Sequence, residues 1–142
     1  MGYYTYYSLE VSGITRDKKG KLIFGDVPSV VQEDLEDEID KLDVFVGGDI
    51  DYGWESEFIK WYDYEDDMLT LSHRFPDILF TLYGNGEDDE DMWCAYYYDG
   101  AVQNAPAVIS YDKFDENKLV KSNKQELFSP NRKYTYETQV TK

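Results

Sequence analysis

The chain has 142 residues, of which 42% are hydrophobic and 17% aromatic, so length and composition predict one folded domain and exclude a wholly disordered protein. Thirty acidic residues against fourteen basic ones give a formal net charge of −16, which argues against nucleic acid as a direct ligand because phosphate binding depends on Lys and Arg. The single cysteine, Cys94, excludes an internal disulfide and a thiolate zinc site. Without an apolar run of about 18 residues or a signal-peptide pattern, we expect a cytoplasmic protein that does not bind membranes.

The N-terminal part of the chain predicts a strand followed by a loop. Residues 3–11 are rich in aromatic and β-branched side chains, which favour a strand. Residues 13–25 are rich in Gly and Lys and predict a loop with room for a short strand at 22–24.

Residues 29–43 predict the first helix. Ser29 is a suitable N-cap, and Gln32 lies three residues later, which completes a capping box. Apolar residues recur at the spacing of a single helix face, namely at Val31, Leu35, Ile39 and Leu42.

The second half of the chain predicts one more helix and four strands. Asp63 begins a helix whose first turn is acidic, as the helix dipole favours, and Pro76 ends it. Asp99-Gly100 is the strongest hairpin signal in the chain and predicts antiparallel pairing of the strands on either side. The predicted strands are residues 54–62, 78–83, 92–98 and 101–110.

This order of elements predicts an α+β fold. We expect a mostly antiparallel sheet of about five strands with two helices packed on one face, and a ferredoxin-like arrangement is the candidate topology. Residues 1–120 should form this single domain. Residues 121–142 contain few apolar residues and are expected to be a polar, mildly basic tail or an edge strand.

The negative charge is concentrated in the middle of the chain. Residues 26–99 hold 23 acidic and 3 basic residues, whereas the rest of the chain has a positive balance. Such a concentration is typical either of a solubility surface or of a surface that meets a basic partner, and we pursue the second interpretation. The carboxylates predicted to form this binding surface lie in the first helix and in one loop: Glu33, Asp34, Glu36, Asp37, Glu38, Asp40, Glu87, Asp88, Asp89, Glu90 and Asp91.

The tyrosines are unusually numerous, at fourteen, and exceed what a core of this size needs. Tyr96, Tyr97 and Tyr98 are consecutive in a predicted strand, so alternation places them on both faces of the sheet and exposes some of them. Because interfaces are enriched in tyrosine, we predict that these three residues form the aromatic part of the binding surface.

Other patterns give only weak signals for chemistry. His73 is the only histidine, and no G-x-S-x-G motif supplies a nucleophile for it. Residues 49–55 begin like a calcium loop but depart from the EF-hand spacing, and the glycines at 84 and 86 precede five acids that would repel a phosphate. We therefore predict no enzyme activity, no catalytic residue, no metal site and no cofactor, with divalent-cation binding as a lesser alternative.

Residues 60–100 contain a series of short motifs: Trp61-Tyr62, Phe75-Pro76-Asp77, Leu79-Phe80-x-Leu82, Gly84-x-Gly86-Glu87 and Asp91-x-Trp93. Together they resemble a small, uncharacterised family of acidic proteins from bacteriophages and bacterial mobile elements. The resemblance covers about a third of the chain. It implies a phage-type origin and assigns no catalytic residue.

We therefore expect the protein to bind and inhibit a basic, nucleic-acid-binding host defence protein by mimicking the charge of DNA or RNA, as an anti-CRISPR or anti-restriction protein does. The alternative is an immunity-type or other protein-interaction module that does not mimic DNA. Both hypotheses require a partner rich in Lys and Arg.

Overall fold

The structure is a computed structural model that describes residues 4–88 and 91–121. The chain divides into two compact units, Met1–Val108 and Ile109–Lys142. In the second unit, the described residues 109–121 contain one 3-10 turn, Glu116–Lys118, and the predicted tail or edge strand at 122–142 lies outside the described residues.

The first unit is an α+β fold, which confirms the predicted class. Its sheet has seven strands rather than about five, in the order β3-β4-β1-β5-β6-β7, with β2 also paired to β1. The elements are β1 (Tyr6–Arg16), β2 (Leu22–Gly25), α1 (Ser29–Lys41), β3 (Gly47–Asp49), β4 (Gly53–Glu55), α2 (Tyr64–Arg74), β5 (Ile78–Asn85), β6 (Met92–Tyr98) and β7 (Ala101–Pro106).

The order of the strands around β1 matches the candidate ferredoxin-like topology. A ferredoxin-like sheet is antiparallel and interleaves two split βαβ units, in each of which a strand of the other unit lies between the two parallel strands. In the described sheet, the unit β1-α1-β3 has β4 between its strands, and the unit β4-α2-β5 has β1 between its strands. The strands β2, β6 and β7 are additional to this arrangement.

The first strand is longer than predicted, and it accounts for one of the additional strand pairs. Residues 13–16 were predicted as loop, but they pair with β2 as a hairpin. Asp17 holds the turn, because its Oδ1 accepts hydrogen bonds from the backbone N–H groups of Lys19 (2.8 Å) and Lys21 (2.9 Å). The short strand predicted at 22–24 is confirmed as β2.

The β3–β4 hairpin was also missed, because its strands are only three residues long and rich in Gly. Residues 54–62 were predicted as one strand, but the strand ends at Glu55, and a single bridge between Thr5 and Ile59 follows. The tight hairpin depends on Gly53, whose φ of 79° lies in the left-handed region that favours glycine.

Both helices begin close to their predicted positions, but not with the predicted caps. Ser29 is the first residue of α1, its N-cap is Pro28, and Gln32 Nε2 donates to the Val27 carbonyl instead of closing a capping box. Asp63 does occupy the N-cap position of α2, although its side chain makes no capping hydrogen bond.

The hairpin predicted at Asp99-Gly100 is confirmed and joins β6 to β7. Both turn residues have positive φ, 48° and 78°, as a type I′ turn requires. The Gly100 N–H donates to Ser72 Oγ at 3.0 Å, which ties the hairpin to α2.

The two faces of the sheet differ. Alternate residues of β1, β5 and β6, including Leu9, Phe80 and Tyr97, are fully buried and form one hydrophobic cluster with Leu35 of α1 and Met68 of α2. Both helices therefore cover the same face of the sheet. The opposite face, here called the open face, has no helix over it among the described residues of this unit.

Candidate functional site

The carboxylates of α1 lie on the side of the helix that faces solvent. Leu35 and Ile39 are buried against the sheet, whereas Glu33, Asp34 and Asp37 are exposed. Asp40 is also exposed, and Glu36 is half-buried. We call these five acids, Glu33, Asp34, Glu36, Asp37 and Asp40, the acidic helix face.

Glu38 differs from the other acids of α1 because it is neutralised within the chain. Its Oε2 is 3.0 Å from Lys41 Nζ, and its Oε1 is 2.5 Å from Arg74 Nη1 at the end of α2. Glu38 therefore joins the two helices. Because Lys41 and Arg74 offset its charge, it attracts a basic partner less than its neighbours do.

The charge density of α1 approaches that of duplex DNA. Residues 33–40 span about 12 Å at the helical rise of about 1.5 Å per residue, so the five carboxylates of the acidic helix face lie one per ~2.4 Å along the axis. Duplex DNA carries one negative charge per ~1.7 Å of its axis. A groove lined with Lys and Arg would therefore face a similar linear density of negative charge on α1 and on duplex DNA.

This arrangement destabilises the helix. The first turn of α1 has no acidic residue, so the acids gain nothing from the positive end of the helix dipole. Like charges at spacings of three or four residues, such as Glu33 with Glu36 and Asp37, oppose helix formation by about 0.2–0.5 kcal/mol per pair. The helix therefore forms because Leu35 and Ile39 are buried, despite its charge.

The described part of the second predicted acidic segment, Glu87, Asp88 and Asp91, does not join the acidic helix face. It follows Asn85 at one end of β5, whereas Glu38 contacts Arg74, which precedes Ile78 at the other end, roughly 24 Å along the strand. Glu87 Oε2 accepts a hydrogen bond from the Tyr4 N–H at 3.0 Å. Asp88 is exposed and Asp91 half-buried, while Asp89 and Glu90 lie outside the described residues.

The three predicted aromatic contacts are divided between the two faces of the sheet. Tyr97 has no exposed surface and packs in the core, so its ring is not part of any surface in this fold. Tyr96 and Tyr98 are half-buried on the open face, on the side of the sheet away from the helices. The structure therefore does not combine these tyrosines with the acidic helix face.

Tyr97 carries a buried hydroxyl that has no hydrogen-bond partner within residues 4–88 and 91–121. An unsatisfied buried hydroxyl costs about 1–3 kcal/mol. We expect Tyr97→Phe to raise the free energy of unfolding by about 1 kcal/mol at pH 7, measured by urea denaturation. A loss of stability in this variant would show that the hydroxyl has a partner.

Burial raises the pKa of Tyr97 above its usual value of about 10. Between the two pKa values the folded chain keeps a proton that the unfolded chain releases, so stability falls as pH rises above 10. We expect the pH-dependent loss between pH 10 and 11 to be smaller in Tyr97→Phe by up to ~1.4 kcal/mol. An identical loss in both proteins would contradict this account.

An exposed aromatic group was missed by the sequence analysis. The ring of Phe58 stacks between those of Tyr4 and Tyr6, with centroid distances of 5.6 and 4.7 Å. Lys60 Nζ lies 4.8 Å from the centroid of the Tyr4 ring. We call the rings of Tyr4, Phe58 and Tyr6 the aromatic ladder. Tyr4 lies two residues before Tyr6, the first residue of β1, so alternation along an extended chain indicates that the two rings share a face. Phe58 joins them only because the Thr5–Ile59 bridge brings its segment next to theirs.

The weaker signals for chemistry have structural explanations in the described residues. Asp49 Oδ1 accepts a hydrogen bond from the Tyr52 N–H at 2.8 Å, so it stabilises a turn. His73 is exposed at the end of α2. Within residues 4–88 and 91–121, no three His, Cys, Asp or Glu side chains converge to hold a metal ion, and no helix is long and apolar enough to cross a bilayer.

The chain matches no family model and shows no significant similarity to the curated proteins or to the solved structures with which it was compared.

Proposed function

We propose that the protein binds a basic, nucleic-acid-handling host protein and blocks its nucleic-acid site, as a phage-type anti-defence inhibitor would. The acidic helix face is the part of the surface that replaces the phosphates. Recognition needs no reaction at this surface, so the proposal includes no catalytic residue and no cofactor.

The observation that supports this proposal is the charge density of α1 on its solvent side. Five carboxylates of one short helix are unpaired with any cation of the described chain, while Glu38 alone is neutralised, by Lys41 and Arg74. Negative charge anywhere on the surface keeps a protein in solution. A partner that recognises a particular spacing of charges needs those charges close together on one surface.

The shape of the helix also suits this role. Leu35 and Ile39 of α1 are buried in the hydrophobic cluster, so the helix that carries the carboxylates is already formed in the free protein. Preorganised charge lowers the entropic cost of association and accelerates the encounter through electrostatic steering.

The proposal is tested by competition with nucleic acid. The immobilised chain is used to retain a protein from a bacterial lysate, and duplex DNA is then titrated against the purified complex. We expect the retained protein to bind DNA by itself, and we expect DNA and this chain to exclude each other. A retained protein that binds both at once would contradict mimicry and favour the immunity-type alternative.

A further inference from the structure

The open face carries a groove of about 430 Å³ at the end of the sheet where β1 begins. One row of side chains crosses this face from β4 to β7: Glu55, Ser8, Tyr83, Cys94 and Ala105. Ser8, Cys94 and Ala105 are small, and Ser8 lies between the two large residues, Glu55 and Tyr83. The groove, here called the sheet groove, therefore has small residues as its floor and large side chains as its walls.

The walls of the sheet groove are aromatic. Tyr6 and Tyr83 line it, and they are 53% and 41% exposed, respectively, so much of each ring lacks a protein contact. Tyr6 is also the last ring of the aromatic ladder, which continues the aromatic surface beyond the groove. Met92, another side chain common at interfaces, lines the same end.

One side of the sheet groove carries negative charge. Glu55 lines it, and no Lys or Arg among the described residues lies within salt-bridge distance of its carboxylate. Glu10 lies on the same face, and its Oε1 accepts a hydrogen bond from the Tyr83 hydroxyl at 3.3 Å. Burial and proximity to Glu10 both raise the pKa of Tyr83, so its hydroxyl stays protonated.

We propose that the sheet groove receives an arginine side chain of a protein partner. Glu55 and Tyr83 flank Ser8 on neighbouring strands, so their Cα atoms are about 10 Å apart. A planar guanidinium can stack on a tyrosine face and pair with a carboxylate, while its apolar stem lies over small residues. Lysine has no planar group for stacking, so the groove favours arginine over lysine.

This inference deepens the proposed function, since it names the chemistry of the partner at a second point of contact. The sheet groove and the acidic helix face belong to different surfaces of the unit. A partner that uses both must therefore reach around the sheet, or two molecules must bind. The groove can be tested with a peptide alone, without the partner.

The test is an NMR titration of the full chain with N-acetyl-Gly-Arg-Gly-amide, followed by backbone amide shifts. We expect saturable shifts at Tyr6, Ser8, Glu55 and Tyr83, at concentrations about threefold lower than those needed with the matching lysine peptide. Shifts confined to α1, or equal affinities for the two peptides, would overturn the proposal.

A matched pair of variants separates the groove from general charge. Glu55→Gln should weaken binding of the arginine peptide by about threefold or more. Glu57→Gln removes the same charge two residues away, outside the groove lining, and should leave the affinity unchanged. Equal effects of the two variants would overturn the proposal. If DNA fails to compete with the retained partner but this titration succeeds, the proposed function is wrong and the groove assignment stands.

Discussion

Replacing Trp54 by alanine is expected to destabilise the protein by about 3–5 kcal/mol, which is a large part of the stability of a typical domain. Trp54 is 1% exposed and pairs with Leu9 of β1 and with Gly48 of β3. A side chain at Gly48 would begin only 2.7 Å from Trp54 Cγ, so the indole fills the space that this glycine leaves. Its removal opens a cavity under a hairpin whose strands have three residues each.

Urea denaturation followed by far-UV circular dichroism measures this effect. Trp54→Phe is the control, because it keeps an aromatic ring in the same space and should lose about half as much stability. If the free energy of unfolding of Trp54→Ala were within about 1 kcal/mol of that of the natural chain, the β3–β4 hairpin would not depend on this side chain.

Neutralising part of the acidic helix face is expected to have opposite effects on stability and on binding. The double variant Glu33→Gln with Glu36→Gln is here called the helix variant. It removes three repulsive pairs, namely Glu33 with Glu36, Glu33 with Asp37, and Glu36 with Asp40. The free energy of unfolding should rise by up to ~1 kcal/mol. Affinity for a basic, DNA-binding partner should fall about tenfold, because two carboxylates that would face its Lys and Arg side chains are lost.

The control for the helix variant is Asp51→Asn with Asp77→Asn, which removes the same charge from two exposed turn positions. Affinity should change less than twofold in this control, and stability should change little. Equal losses of affinity in the two double variants would mean that only the total charge matters. A helix variant that lost stability would contradict the account of repulsion in α1.

Local signals predicted the elements that are long or that carry a specific turn. The apolar stripe through Leu35 and Ile39 and the dipeptide Asp99-Gly100 each specify their structure through neighbouring residues alone. The β3–β4 hairpin could not be predicted in this way, because its strands owe their stability to the pairing of Leu9 with Trp54, 45 positions apart. The predicted capping box was also wrong, because Gln32 Nε2 donates a hydrogen bond to the Val27 carbonyl and not to the backbone of Ser29.

The charged part of the candidate site could be predicted from the sequence. The aromatic part could not, because it depends on contacts between residues that are distant in the sequence. A run of acids in a helix with one apolar stripe must face solvent, so the acidic helix face follows from periodicity. Which of Tyr96, Tyr97 and Tyr98 is buried depends on the register with β5, which places Tyr97 opposite Phe80 under the helices. The aromatic ladder and the sheet groove are formed by segments that are distant in the sequence and meet only in the folded chain.

The salt dependence of affinity tests the central claim, recognition of the acidic helix face by a basic partner, most directly. The dissociation constant for the retained protein is measured between about 50 and 500 mM salt, for the natural chain and the helix variant. We expect the affinity of the natural chain to fall at least about tenfold over this range, and that of the helix variant to fall less steeply. An affinity that does not change with salt, or equal slopes for the two proteins, would contradict recognition through these carboxylates.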